Sequence, residues 1–441
     1  MRILHITAHM GAGAGKAISG LAMSDDSNRH IVILLEEPEK TDHIRRCEQM
    51  GIEIIICPQS EQLCREVAEA DVVIMNWWHH PLTYQALIEI SDVPSRIILW
   101  SHVNGLNYPK LKLDFMKCFD ACMFTSKASF QNTDWSEEEK DYICKKSELV
   151  YGMGDFNPQN FKAKCDYGRT QEAQIGYVGT LDYAKLHPNF VNWIKETVNC
   201  NRNIRFMVAG DLSPTLTEDV KKEGISENTE FLGFRTDIPE LLCAWDIFIY
   251  PLNPVNFATT ENALLEAMAA GLPIVASDGM IERTIIDDGK NGFLVSDEHT
   301  FANRVQELVQ NEELRRRLGQ HAKESVIGAY DKKANLLRFI SVLDTVVKRP
   351  KEIHDLNIGN EAFEWFLVGC GNNEAKLLEE LSQYTFQNDE WRKMTAEISG
   401  LGQIYKGESK GSPKQFSKYY PIDKRLDTLI KIMEEVQEKN I

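Results

Sequence analysis

The sequence predicts an α/β protein: two doubly wound, Rossmann-like domains in tandem, then a smaller and mainly helical C-terminal appendage. Three observations predict it. Apolar, β-branched runs alternate with amphipathic helical patterns up to about residue 165, which argues for a parallel sheet with helices on both faces. A second alternating series follows a polar, Gly-containing stretch, KAKCDYGRTQEAQ (162–174), that reads as a linker. From about residue 346 the pattern turns to charge and aromatics, with few strand-like runs. The expected domains are therefore 1–165, 172–345 and 346–441, in a chain of 441 residues that exceeds what one core usually serves.

The first series supplies strands at RILHIT (2–7), HIVILL (30–35), IEIIIC (52–57), DVVIMN (71–76), RIILWS (96–101) and ACMFTS (121–126). Between them lie helical stretches such as EQLCREVAEA (61–70). The second series supplies IGYVGT (175–180), IRFMVAG (204–210), TEFLGF (229–234), IFIYPL (247–252), PIVAS (273–277) and GFLVS (292–296). Helices fit at 187–198, 237–245, 261–270 and 299–317. In the appendage FEWFLVGCG (363–371) is apolar, KGESKGSPKQ (406–415) reads as a loop, and LDTLIKIMEEVQ (426–437) as an amphipathic helix. Capping the first domain, binding an acceptor and forming a homodimer are the roles open to it.

Composition narrows the function. Hydrophobic residues make up 43% and charged residues 26%, as in ordinary globular proteins. A net charge of −17 repels phosphate and disfavours a broad grip on nucleic acid or anionic membrane. No run approaches the roughly 20 apolar residues of a membrane span. MRILHITAHM leads straight into a strand without a signal-peptide layout, so a cytoplasmic protein is expected. Ten scattered cysteines form no CxxC and read as reduced, buried thiols. Cys118 and Cys122 are spaced to share a helix face, but no partner pair completes a metal site, so no metal is expected.

Tandem doubly wound domains make a cleft, and ligands in such folds sit beyond the carboxyl ends of strands. Four loops are placed there. In HMGAGAGKAISG (9–20), Gly13 and Gly15 let backbone approach a phosphate at a helix N-terminus. A tight turn without ligand explains them equally. The Walker and dinucleotide patterns both fail in this loop, which disfavours a dehydrogenase. His102, in WSHVNGLNYP (100–109), ends a strand at the cleft mouth; His79 and His80 read as structural. In IGYVGTLDYAKLHP (175–188), Gly179 and Thr180 leave the strand and Lys185 enters the next helix. That lysine can neutralise a diphosphate or be a solvated surface charge. In ATTENALLEAMAAGLPIVAS (258–277), Asn262 and Glu266 share a helix face four residues apart. A glutamate amid apolar neighbours needs a partner, either a ligand's hydroxyl pair or an internal bond.

TENALLEAMAAGLPIVAS, IGYVGTLDYAK, DIPELLCAWDIFIYP and IIDDGKNGFLV together closely resemble retaining GT-B glycosyltransferases of family 4, the glycosyl transferases group 1. The resemblance spans roughly residues 1–340 and is strongest over 175–296. It implies a GT-B fold, in which the first domain takes the acceptor and the second the nucleotide-sugar donor. It implies that Glu266 binds the donor ribose, that Lys185 binds the diphosphate, and that His102 lies near the donor sugar. The amides around Thr259, Thr260, Glu261 and Asn262 would hold sugar and phosphate. Two positions depart from the family. Ala258 stands where the family carries a second glutamate, and Thr180 where it carries an arginine. Glu261 is the candidate to replace the acid, and Lys16 or Arg235 to replace the cation. The resemblance implies transfer of a hexose from a UDP- or GDP-sugar to an acceptor hydroxyl with retained configuration. It implies no cofactor and no metal. The rivals are a sugar-nucleotide epimerase or phosphorylase on the same scaffold, and a nucleotide-sugar-binding protein with weak or lost turnover.

Overall fold

Runs of Val, Ile and Leu without a polar face become strands covered on both sides by helices. The computed structural model, which describes residues 1–154, 156–162, 172–356, 358–383 and 411–438, contains two such sheets. The first has seven parallel strands in the order β3-β2-β1-β4-β5-β6-β7. They are β1 Arg2–Thr7, β2 Arg29–Leu34, β3 Glu53–Ile56, β4 Val72–Trp77, β5 Ile97–Ser101, β6 Ala121–Phe124 and β7 Ser147–Leu149. The second has six, in the order β10-β9-β8-β11-β12-β13. These are β8 Ala173–Val178, β9 Ile204–Ala209, β10 Thr229–Gly233, β11 Ile247–Tyr250, β12 Ile274–Ser277 and β13 Phe293–Val295. In each sheet the order reverses beside the first strand, between β1 and β4 and between β8 and β11. The loops at the carboxyl ends of those pairs are where doubly wound sheets hold ligands.

The chain forms two compact units, Met1–Asp155 with Asn335–Ile441, and Phe156–Ala334. The expected boundaries at 165, 172 and 345 and the separate appendage differ from this division. The physical reason is the helix Lys332–Val346. Its Phe339, Leu343 and Val346 are fully buried in one cluster with Ile3, Val32, Ile98 and Trp100 of the first sheet. Past this helix, Arg96 Nε donates to the Arg349 carbonyl at 2.6 Å, and Ser95 bridges to Glu352. The following helices, Ala362–Val368, Asn372–Ser382, Pro413–Tyr419 and Lys424–Glu438, give the helical C-terminal region that the pattern predicted.

Several local expectations need correction. The strand β7 was not foreseen, because SEL is short, polar and only half-buried at the sheet edge. The helix expected over 299–317 is two helices, Glu298–Gln310 and Glu312–Ala329. Asn311 breaks the run and caps the second helix, its Oδ1 accepting from the Leu314 N–H at 3.0 Å. The loop expected over 406–415 already turns helical at Pro413, and its first part lies outside the described residues. So does most of the linker expected over 162–174. Of the cysteines, Cys47, Cys122 and Cys370 are buried as expected, but Cys57, Cys144, Cys200 and Cys243 are exposed, and Cys165 lies outside the described residues. Cys118 and Cys122 share no helix face, since Cys118 ends the helix Leu113–Lys117 and Cys122 is in β6. Among the described residues no helix is long and apolar enough to cross a membrane.

Candidate active site

The second unit gathers its chemistry where β8 and β11 separate. After β8 the chain passes Gly179 and Thr180, and the Thr180 carbonyl accepts from the Tyr177 hydroxyl at 3.2 Å. A Cβ on Gly179 would lie 2.5 Å from that Tyr177 oxygen, so the loop closes only over glycine. Lys185 does not enter the next helix as expected. It sits in a turn, its N–H donating to the Asp182 carbonyl at 2.9 Å, and the helix begins at Phe190. Asn253, after β11, ties the two loops together. Its N–H donates to the Lys185 carbonyl at 2.8 Å and its Nδ2 to the Tyr183 carbonyl at 3.0 Å.

The β11 loop ends at Glu261, the N-cap of helix Asn262–Ala269. Glu261 holds φ 52° and ψ 58°, a left-handed conformation that costs a non-glycine residue about 1–2 kcal/mol. Its side chain makes no cap bond. Instead the buried Glu261 carboxylate turns inward. Oε2 accepts from the Tyr250 hydroxyl and lies 3.4 Å from Lys185 Nζ, which also stands 5.5 Å over the Tyr250 ring. Oε1 is buried and has no hydrogen-bond partner. Burial, then the Glu261 charge, pushes the Tyr250 hydroxyl well above its ordinary range, so it remains a donor. Glu282, 1% exposed, completes the group. Burial, then the Glu261 carboxylate, pushes its carboxyl up to about 8.

Within the helix, Leu264, Leu265, Ala267, Met268 and Ala269 are buried, while Asn262 and Glu266 are half-buried on one face. The glutamate in the apolar run thus occupies the face that the core does not use. Thr260 is buried and Thr259 half-buried in the loop before it. Ala258 there donates its N–H to Asn256 Oδ1 at 2.7 Å.

Arg235 follows β10, two strands from β8 in the sheet. Its guanidinium forks onto Asp237, with Nε to Oδ1 at 2.7 Å, which lowers the Asp237 carboxyl. Sequence patterning missed Tyr177, Tyr250, Asn253 and Glu282. The first two read as ordinary strand residues, and the last two only as loop polarity.

In the first unit, Gly15 is required by packing, since a Cβ would meet the Met10 carbonyl oxygen at 2.0 Å. Around Gly13 a Cβ would meet nothing within 4 Å, so that position is open to approach. Lys16 lies in the same helix, Ala12–Ala22. His102 follows β5 as expected, and its Nε2 bonds Asn76 Oδ1 at 2.9 Å. Asn76 Nδ2 already donates to the Ile6 carbonyl at 3.2 Å, so Oδ1 is the acceptor and His102 Nε2 carries the proton. Burial lowers the imidazole to about 3, so the ring is neutral at pH 7 with Nδ1 as its lone-pair side.

Residues 172–311 match the family described as glycosyl transferases group 1. EpsD of Bacillus subtilis (strain 168), placed by name among glycosyltransferases with no stated substrate, is 34% identical over 212 residues, 43% of this chain and 54% of EpsD. The alpha-D-kanosaminyltransferase of Streptomyces kanamyceticus is 26% identical over 188 residues, 40% of this chain and 48% of that protein. The chain thus spans only about half the length of these curated relatives. Among solved structures, HepE of Anabaena in complex with UDP and glucose matches with TM-score 0.63 and 16% identity, covering 78% of this chain and 100% of HepE. A sucrose-phosphate synthase from Thermosynechococcus elongatus matches with TM-score 0.57 and 14% identity, over 79% of this chain and 99% of that one. At these identities the structures show the shared GT-B fold of two parallel sheets. The segment 172–311 is thus similar to the group 1 glycosyltransferases.

Proposed function

We propose that this protein is a retaining hexosyltransferase that moves a sugar from a nucleotide diphosphate sugar, with UDP-sugars leading, to an acceptor hydroxyl. The observation that carries this reading is the cluster of Lys185, Glu261 and the N-terminus of helix Asn262–Ala269. It lies at the strand-order reversal of the second sheet, inside the segment that matches the family. Breaking the glycosidic bond puts negative charge on the departing diphosphate, and fixed positive charge and amide dipoles lower that barrier. Lys185 supplies the point charge, and the helix amides supply the dipoles. Glu266 takes the ribose hydroxyl pair. Glu261 replaces the acid absent at Ala258, its unpartnered Oε1 accepting from the donor sugar. On binding, the diphosphate competes with Glu261 for Lys185. The Thr180 position adds no charge, which leaves the helix amides a larger share of the diphosphate. His102, as a neutral imidazole, accepts a sugar hydroxyl at Nδ1. No side chain acts as nucleophile and no metal takes part.

Incubation with UDP-, GDP-, ADP- and TDP-sugars tests this. One donor is expected to release its nucleotide, and EDTA is expected to leave the rate unchanged. Lys185→Ala should lower the rate at least about tenfold, as for removal of one charged contact to the leaving group. With an acceptor present, NMR should show the donor's anomeric configuration kept in the product. Inversion would overturn the retaining mechanism. Donor binding without release, even with acceptors supplied, would favour the second reading, a binding protein with lost turnover. Ala258 and Thr180 are the residues that support that reading.

A further inference from the structure

After the helix Lys332–Val346 the chain runs along the amino-terminal edge of the first sheet, where several bonds fasten it. Ser95, just before β5, exchanges backbone bonds with Glu352. The Ser95 N–H donates to the Glu352 carbonyl at 2.9 Å, and the Glu352 N–H to the Ser95 carbonyl at 3.1 Å. Arg349 Nη1 donates to the carbonyl of Asp120, just before β6, at 2.8 Å. The Cys118 thiol donates to the Leu356 carbonyl at 3.3 Å. This segment leads to the helices from Ala362 onward.

His354 lies among these contacts, and its two ring nitrogens face the same kind of atom. Nδ1 is 3.1 Å from the Cys118 carbonyl oxygen, and Nε2 is 3.1 Å from the Ser95 carbonyl oxygen. A carbonyl oxygen only accepts, so each contact needs an N–H on the ring. A neutral imidazole has one N–H and would turn its lone pair onto the other oxygen. Only the imidazolium satisfies both. A counter-charge is at hand, with Asp120 Oδ2 3.5 Å from Nε2. The His354 and Asp120 side chains are 11% and 12% exposed, so both are largely withdrawn from water.

The charged groups on the neighbouring elements have other partners. Asp120 Oδ2 also accepts from the Ile97 N–H at 2.8 Å, and Asp120 Oδ1 lies 3.8 Å from Arg349 Nη1. Asp120 thus offers one oxygen to Arg349 and the other to His354. Arg96 donates to the Arg349 and Asp71 carbonyls, Lys146 to that of Lys117, and Lys351 to that of Ala68. Asp114, on the helix Leu113–Lys117, pairs with Lys117 at 3.0 Å. Burial, then the Asp355 charge, pushes the Cys118 thiol up to about 11, so it adds no charge at pH 7.

We propose that His354, as an imidazolium, clasps the segment leading to the C-terminal helices onto the first sheet, and that the clasp loosens when the ring loses a proton. Loss of the proton leaves a lone pair against a carbonyl oxygen. Docking of the segment is therefore strongest at low pH and weakens as pH rises through the titration of the ring. The inference concerns the first unit alone and does not depend on the glycosyltransferase reading.

Its test uses the full chain with 15N-labelled histidine. NMR counts the protons on each ring, and the His354 signals are those lost in His354→Gln. Hydrogen exchange of the Ser95 and Glu352 amides is followed over the same pH range. The ring should carry two protons at about pH 6 and one by about pH 9. Exchange of both amides should accelerate in step with that loss by about tenfold beyond the chemical rate, as for a lost bond to a charged group. His354→Gln should show no such step. If that variant does not fold, the wild-type exchange profile decides the matter. A ring with one proton at about pH 6, a ring keeping both at about pH 9, or amide exchange without the step would overturn the proposal.

Discussion

Glu261 and Glu282 show how much a single position can carry. Two carboxyl groups are buried in the second unit with one lysine beside them, and burial disfavours a second charge. Glu282 therefore keeps its proton up to about pH 8, against an ordinary 4.5. Its folded-state value is raised, so the folded protein binds more protons than the unfolded chain between those pH values. Stability must then fall as pH rises through that window. Glu282→Gln removes this titration without removing volume. The variant should gain several degrees in unfolding midpoint over wild type at pH 8.5 and much less at pH 5, at roughly 2–4 °C per kcal/mol for a unit of this size. Thermal melts at both pH values check it, and a pH-independent difference would contradict it. None of this was legible in the sequence, where Glu282 is one acid in a polar loop. Glu266 was legible, because an acid amid Leu, Ala and Met on a helix demands a reason. So was the place of His102 at its strand end, although its proton could be assigned only once Asn76 was seen to face it.

At the scale of elements, the twelve apolar runs read from the sequence all lie on strands of the two sheets. β-branched runs covered on both faces give the plainest of sequence signals. What escaped has physical causes. The strand β7 is three half-buried residues whose place is set by β6 rather than by their own chemistry. The break at Asn311 escaped because helical periodicity resumes in phase beyond it, and only the cap geometry reveals the interruption. That cap carries energy: Asn311→Ala should cost about 1 kcal/mol. Urea unfolding checks this, and an unchanged midpoint would show that the helices do not need the cap. The docking of the C-terminal helices escaped most fully. They dock through Gly369 and Gly411, where a Cβ would come within 2.5 and 2.3 Å of the His79 ring, and through Phe416, whose ring centroid lies 5.2 Å from that of His79. Such contacts join residues 290 or more positions apart, and no local pattern encodes them.

For the whole molecule, the chain builds one sheet, then a second, and returns to add helices to the first unit. That return explains why the region after residue 346 reads as an appendage in sequence yet belongs to the first unit. It also brings Tyr419 of the helical region to Glu36. The acidic balance of −17 is compatible with the proposal that an anionic donor is met by a few placed groups, Lys185 and one helix N-terminus, rather than by a basic surface. The central claim is that the second unit holds a nucleotide diphosphate sugar through Lys185 and Glu266. Isothermal titration of wild type, Lys185→Ala and Glu266→Ala with UDP-glucose and GDP-mannose tests it most directly. The account predicts that one donor binds the wild-type protein and that each substitution weakens it about tenfold or more, as loss of a charge-assisted contact requires. Equal binding by all three proteins, or no binding of either donor, would contradict it.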